Sequence, residues 1–372
     1  MNTHTRIIQY PANIEALKPY VPGVPISDLA RRLQIPVESI VKLASNENPL
    51  GPSPRALQAL AEARIDLSQY PDNDCTALVA AIAEQHQVPK EWVVVGAGSE
   101  SVIGNAVATL LTAGKKTVYS QYSFQAYVTA VQRVGATAIE IPSPEYVVDL
   151  DGLLGALVQE PSLIYIANPG NPTGTCLDSK ALERFMNAVP PHIAVLLDEA
   201  YFEFLPAHLQ PDSIAWVRQY PNLLITRTFS KAFGLAGLRV GYGIAQPVLA
   251  DMLKRVRPPF TVGEPAQLAA TAALLDHDFL AQTLENNEQS GRILQEGLRN
   301  LGLRYLESYT NFVLVEVGDG AAIARFLEHQ GFIVRPVNAY GLPRWVRISL
   351  GHPAQMQRLV QAMASFSFAE NK

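Results

Sequence analysis

Cysteine is scarce in this 372-residue chain: only Cys75 and Cys176 occur, far apart and in neither a Cys-x-x-Cys nor a metal-ligand spacing. That excludes a disulfide framework and a thiolate metal centre, and leads to the expectation of a reducing, cytoplasmic setting. The seven histidines are dispersed, with no pair at helical ligand spacing, so no metal site is expected. An excess of charge of one sign is also missing. The 29 basic and 34 acidic residues leave a net charge of −5, with the cations scattered, which argues against a nucleic-acid surface. No uncharged apolar run approaches the ~20 residues of a membrane span. The stretch Met1 to Tyr20 carries Arg6, Glu15 and Lys18 and lacks the apolar core of a secretory signal. There is no internal repeat and no low-complexity tract.

What remains is an ordinary globular composition, 48% hydrophobic and 17% charged. The length points to one large domain plus a smaller one. The first fifty residues are rich in proline (Pro11, Pro19, Pro22, Pro25, Pro36, Pro49), with a short helical stretch near Ser27 to Leu33. Proline interrupts helix and ladder alike, so this part reads as an arm lying on something else. From about residue 75, helical stretches such as Thr76–Gln87 and Ser179–Ala188 alternate with short apolar runs. The runs begin at Trp92, Thr117, Ala138, Leu163, Ile193, Leu223 and Val240. Runs so short and so apolar suit strands buried on both faces, and the alternation predicts an α/β domain with a mostly parallel sheet. After roughly residue 270 comes one long helical stretch, Ala266 to Leu301, then the runs Phe312–Val317, Phe332–Val334 and Val346–Ser349 around a helix near Ala321–Gln330. This predicts a smaller α+β domain. The expected division is 1–45 as an arm and part of the small domain, 46–275 as the large domain and 276–372 as the small C-terminal domain.

In open parallel sheets, ligands bind beyond the carboxyl ends of the strands. The first run leads to Gly96, Gly98 and Ser99 ahead of a helical stretch, where free backbone N–H groups suit an anion. Taken alone, that is a tight turn with a helix cap. Leu163–Ile166 leads to Asn168-Pro169-Gly170-Asn171-Pro172-Thr173-Gly174, a sharp turn that fixes Asn171 as a donor. Ile193–Leu197 ends in Asp198, with Tyr201 three residues on. An isolated aspartate there would be a cap. Leu223–Ile225 leads to Thr228, Ser230 and Lys231, with Arg239 further on. A lone lysine in a loop is normally solvated, but this one is bracketed by hydroxyls and by Phe229 and Phe233.

One ligand satisfies all four loops. It has a phosphate for Gly98, Ser99, Thr228, Ser230 and Arg239, and an aldehyde for the amine of Lys231. It also has a ring nitrogen for Asp198 and a ring oxygen for Tyr201 and Asn171. Pyridoxal 5′-phosphate carries these groups, and a lysine Schiff base with an aspartate on the pyridine nitrogen is the expected protein contribution.

With those blocks in view, the sequence resembles the fold-type-I pyridoxal-phosphate enzymes, specifically the class I and II aminotransferases. The resemblance rests on Asn171 to Gly174, Asp198 to Tyr201 and Thr228 to Arg239, and it spans essentially the whole chain. Within that class it is most similar to the histidinol-phosphate aminotransferase family, through Lys18-Pro19-Tyr20, the segment Leu43 to Pro49, and Tyr70-Pro71-Asp72.

The resemblance implies transamination of an amino donor with 2-oxoglutarate, Lys231 acting as the general base. It also implies a homodimer in which Tyr70 reaches the neighbouring subunit's cofactor phosphate. It assigns ring stacking to Tyr122, with Tyr127 competing for the role. Arg347 is implied to hold a substrate α-carboxylate, and Arg335 with Tyr20 a substrate phosphate, Asn311 helping to line that pocket. An aromatic aminotransferase, an O-phospho-amino-acid decarboxylase and a non-catalytic binding protein of the same fold are the rival readings.

Overall fold

The computed structural model describes residues 8–19 and 23–368. Among the described residues, eleven strands form two sheets. In chain order they are β1 (Val41–Leu43), β2 (Val93–Gly96), β3 (Lys116–Ser120), β4 (Thr137–Ile141), β5 (Leu163–Ala167) and β6 (Ala194–Asp198). There follow β7 (Leu223–Thr228), β8 (Gly241–Ala245), β9 (Phe312–Glu316), β10 (Phe332–Val337) and β11 (Leu342–Ser349).

The large sheet has seven strands in the order β2-β8-β7-β6-β5-β3-β4. Its pairings are parallel except at β8, which runs antiparallel to both β7 and β2. Each of β5 to β8 is buried along its whole length. Because side chains alternate, one strand feeds two cores: Ile164 and Ile166 pack on one face, and Leu163, Tyr165 and Ala167 on the other. Burial on both faces explains why these runs are apolar without alternation.

The small sheet has the order β1-β10-β11-β9. Its outer face packs Val313, Val315, Val346 and Ile348 against Leu294, Leu327 and Leu359 from three helices. Trp345 and Arg347 alternate with those core residues on β11 and so face the large sheet. The strand β1 joins this sheet by parallel pairing with β10, which brings the early part of the chain to the junction.

The long helical stretch expected over 266–301 is two helices, Glu264–Leu274 and His277–Asn300. Asp276 divides them. Its side chain accepts from the Phe279 N–H, capping the second helix, and from Ser53 Oγ at 2.6 Å. A buried carboxylate with those two donors is worth more as a cap than as a helix-interior residue, where it would compete with the backbone.

Candidate active site

The tips of β5, β6 and β7 and the start of the helix Ser99–Leu110 surround a cavity of about 180 Å³. Asp198, the last residue of β6, is buried at its floor. Its two oxygens accept from Tyr165 Oη at 2.9 Å and Thr226 Oγ1 at 3.0 Å. Burial pushes its carboxyl up, while those two hydroxyls, the Ala200 N–H and the charge of Lys231 pull it down. The adjacent Glu199 points elsewhere. Its Oε2 accepts from Arg227 Nε at 2.9 Å and Ser213 Oγ at 3.0 Å, an ion pair that ties the tip of β6 to that of β7.

Lys231 follows β7 and lines the same cavity, its Nζ donating to Ser45 O at 3.2 Å. Burial, seconded by Arg347 and Arg239 and opposed by Glu47 and Asp198, depresses this amine to about 8. A lysine so shifted carries a substantial neutral fraction near pH 7.5, which an ordinary lysine does not.

One end of the cavity is built for an anion. The helix Ser99–Leu110 starts after Gly98 with no side-chain cap, so its first N–H groups have no capping partner. Gly98 has φ +83°, and a Cβ built there would lie 2.9 Å from Arg239 Nη2. Gly241 on β8 lets that helix approach the sheet: a Cβ there would meet Ser99 N at 2.4 Å. Arg239 Nη1 donates to Ser230 Oγ at 3.3 Å, and Ser230 N donates to Thr228 Oγ1 at 3.1 Å. Two hydroxyls, one guanidinium and a helix N-terminus thus converge.

The other end is polar in a different way. Tyr201 Oη accepts from Asn46 Nδ2 at 2.8 Å, which leaves its own proton to donate. Burial raises that phenol to about 12, so it stays protonated. Asn171 Oδ1 accepts from Arg347 Nη1 at 2.6 Å, which turns the amide nitrogen of Asn171 the other way. Arg347 Nη2 donates to Ala44 O at 2.9 Å, and its buried Nε has no hydrogen-bond partner among the described residues. Arg335 stands opposite Arg347 in the β10–β11 register, so both guanidiniums leave the same sheet face. A Cβ on Gly23 would come within 3.7 Å of Arg335 Nη1, placing the early chain beside that arginine.

The residues expected from the sequence therefore separate. Gly98, Ser99, Asn171, Asp198 and Tyr201 line the cavity, as do Thr228, Ser230, Lys231 and Arg239. Arg347 and Arg335 stand on the small-sheet side. Asn311 is buried there, its Nδ2 donating to Asn46 O at 2.9 Å. Tyr70 does not line this cavity. It is 82% exposed and stacks on Phe260 with ring centroids 4.5 Å apart. Tyr20 lies outside the described residues.

The stacking assignment needs correction. Phe124 lines the cavity, and neither tyrosine does. Tyr122, at φ +60°, turns into a neighbouring small recess beside Tyr146. Tyr127 is fully buried and stacks on Tyr165 at 4.0 Å. Asn46 and Tyr165 were missed as well. Asn46 sits among the residues that carried the resemblance, but Tyr165 is one apolar-run residue among several and gives no signal of its own. Among the described residues no cluster of His, Cys, Asp and Glu could hold a metal ion, and no helix is long and apolar enough to cross a membrane.

A mostly parallel, helix-covered sheet with a buried lysine, a buried aspartate and an anion cradle at its strand tips defines a class of protein. The chain belongs to the family described as aminotransferase class I and II, whose model matches residues 38–363. It is similar to histidinol-phosphate aminotransferase 2 of Ralstonia nicotianae, 48% identical over 95% of this chain and 96% of that one. Histidinol-phosphate aminotransferase 1 of Cupriavidus pinatubonensis is 46% identical over 95% of each chain. Among solved structures, histidinol-phosphate aminotransferase from Sinorhizobium meliloti in complex with pyridoxal-5′-phosphate superposes with a TM-score of 0.87 at 29% identity, covering 98% of this chain and all of that one.

Proposed function

We propose that the chain uses pyridoxal 5′-phosphate to transfer the amino group of histidinol phosphate to 2-oxoglutarate, yielding imidazole-acetol phosphate and L-glutamate, a step of histidine biosynthesis in the cytoplasm. The observation that carries this is the meeting of Lys231, Asp198 and the Arg239–Ser230–Thr228 cradle around one cavity.

The residues present fit the cofactor. The uncapped helix start, Ser230, Thr228 and Arg239 take its phosphate. Asp198, buried and with room for a further donor beside Tyr165 and Thr226, takes the ring nitrogen. Tyr201 and Asn171 each offer a proton to the ring oxygen, and Phe124, which lines the same cavity, packs on the ring. When bound, the cofactor supplies an aldehyde for amine exchange and a pyridine ring that accepts electrons.

The chain's own work is then to place groups and move one proton. The amine of Lys231 removes the proton from the substrate Cα and returns it one carbon away, a transfer that a base with a pKa near the working pH performs best. Asp198 would hold a proton on the ring nitrogen of the bound cofactor. Arg347, with its Nε unpartnered, holds the α-carboxylate of 2-oxoglutarate. Histidinol phosphate has a phosphate ester where an amino acid has its carboxylate. The paired guanidiniums of Arg335 and Arg347, with Tyr20, accept that more highly charged group. The working unit is a homodimer in which the exposed Tyr70 reaches the partner's cofactor phosphate.

The test is amino-donor profiling with 2-oxoglutarate as acceptor. Histidinol phosphate should exceed phenylalanine and tyrosine in kcat/KM by at least about 10²-fold, the discrimination given by a site with groups dedicated to one substrate anion. Equal turnover of the aromatic amino acids would replace this reading with an aromatic aminotransferase. Carbon dioxide release without need of 2-oxoglutarate would replace it with a decarboxylase.

A further inference from the structure

We infer that Tyr165 is a positioning residue for Asp198, its buried phenol holding the carboxylate ionised and aimed at the site. The inference rests on the proposed role of Asp198 at the cofactor's ring nitrogen.

Tyr165 lies in the middle of β5 and has no solvent exposure. A phenol buried in that way costs stability unless its hydroxyl is bonded, and its Oη donates to Asp198 Oδ2 on the neighbouring strand at 2.9 Å. An ionised carboxylate has no proton to offer, so the phenol is the donor. Thr226 Oγ1, from β7 on the other side, donates to Oδ1. The carboxylate is therefore gripped from both neighbouring strands.

The phenol is itself braced. Its ring stacks on Tyr127 with an interplanar angle of 10°. Tyr127 is fixed in turn by a hydrogen bond between its hydroxyl and Thr117 Oγ1. Thr117 Oγ1 spends its own proton on Leu163 O at 2.8 Å, so Tyr127 is the donor in that pair. This chain runs from β3 through the helix Gln125–Arg133 to β5 and ends on Asp198. The role accounts for Tyr127 and Tyr165 in a layer they share with Leu163, Leu196 and Leu224.

The charged and titratable groups around the carboxylate are Tyr165, Lys231, Glu199 and Tyr201; Arg227 acts on Glu199, Arg347 on Tyr201, Tyr127 on Tyr165, and Tyr340 on both Tyr165 and Tyr201. Of these groups, Tyr165 donates a hydrogen bond to the carboxylate and Lys231 acts through its charge. A donor to the ionised form lowers a carboxyl's pKa, and its removal makes the carboxylate more basic. A more basic Asp198 draws the shared proton from the ring nitrogen to itself. With the cofactor bound, its ring would then carry less positive charge, and the Lys231 nitrogen would give up its proton less readily.

The experiment is a pH titration of the visible absorbance of the cofactor-loaded full chain, native against Tyr165→Phe. The variant should titrate with a midpoint higher by about half a unit or more, and turn over about 10-fold more slowly, in keeping with the loss of one hydrogen bond to a charged group. Thr226→Val should move the midpoint the same way and serves in its place if Tyr165→Phe does not load. In an Asp198→Asn background, Tyr165→Phe should produce no further shift. An unchanged midpoint in a loaded Tyr165→Phe protein, whatever its thermal stability, overturns the inference and leaves the phenol a packing residue. A native protein with no visible absorbance overturns the cofactor assignment instead, which keeps the two failures apart.

Discussion

Arg347 belongs to the small sheet and Asn171 to a loop of the large one, yet the guanidinium of the first donates to the amide oxygen of the second at 2.6 Å. This bond joins the two sheets at the point where a substrate carboxylate is expected. Arg347→Lys keeps the charge but cannot serve Asn171, Ala44 and an anion at once, because the planar fork is lost. The kcat/KM for 2-oxoglutarate should fall about 10- to 100-fold, the range of one charge-assisted bond. Steady-state kinetics with varied 2-oxoglutarate checks this, and an undiminished value would take the α-carboxylate away from Arg347.

Gly98 is a second point where one atom decides an outcome. Its backbone, at φ +83° and ψ 165°, lies in a region open to glycine and costly for other residues. A Cβ would also press on Arg239 Nη2 at 2.9 Å. Gly98→Ala should weaken cofactor binding about 10-fold or more by pushing the guanidinium out of the cradle. Titration of the cofactor-free protein with pyridoxal phosphate, followed by absorbance, measures it. Native affinity in that variant would show that the cradle does not depend on this glycine.

The amine of Lys231 makes stability depend on pH in a stated direction. Its folded pKa of about 8 lies below the ordinary lysine range. Below pH 8 the cofactor-free fold must hold a buried charge that the unfolded chain hydrates, so the residue is destabilising. Between pH 8 and the ordinary range the unfolded chain binds more protons, and folded stability from this residue rises with pH. Lys231→Met should therefore be more stable than the native cofactor-free protein at pH 7, with the gap narrowing by pH 10. Denaturant midpoints at both pH values test it, and a gap independent of pH would mean the amine is not desolvated. The same variant should lack transaminase activity.

Much of the site was legible because several of its groups follow closely on a buried strand. Asp198 ends β6, and Asn171 and Lys231 lie just beyond β5 and β7, so strand ends locate them without knowledge of the sheet order. Where a side chain sits in a turn, that reasoning fails. Tyr122, Phe124 and Tyr127 occupy one short segment, and the left-handed turn at Tyr122 selects which ring meets the cavity. Aromatic character alone does not reveal that rotation. Asn46 escaped notice as a cavity-end residue for another reason. Its contact with Tyr201 spans 155 positions and exists because β1 pairs with β10.

The sequence by itself determined the buried strands of the large sheet and the reactive groups that follow them, because hydrophobic periodicity and strand-end chemistry are local properties of the chain. Tertiary structure alone decided which hydroxyl grips which carboxylate, which aromatic ring faces the cavity and how two arginines come to share a sheet face. Those outcomes depend on sheet order and register, which bring Tyr165 within hydrogen-bond reach of Asp198 on the neighbouring strand and set Arg335 opposite Arg347.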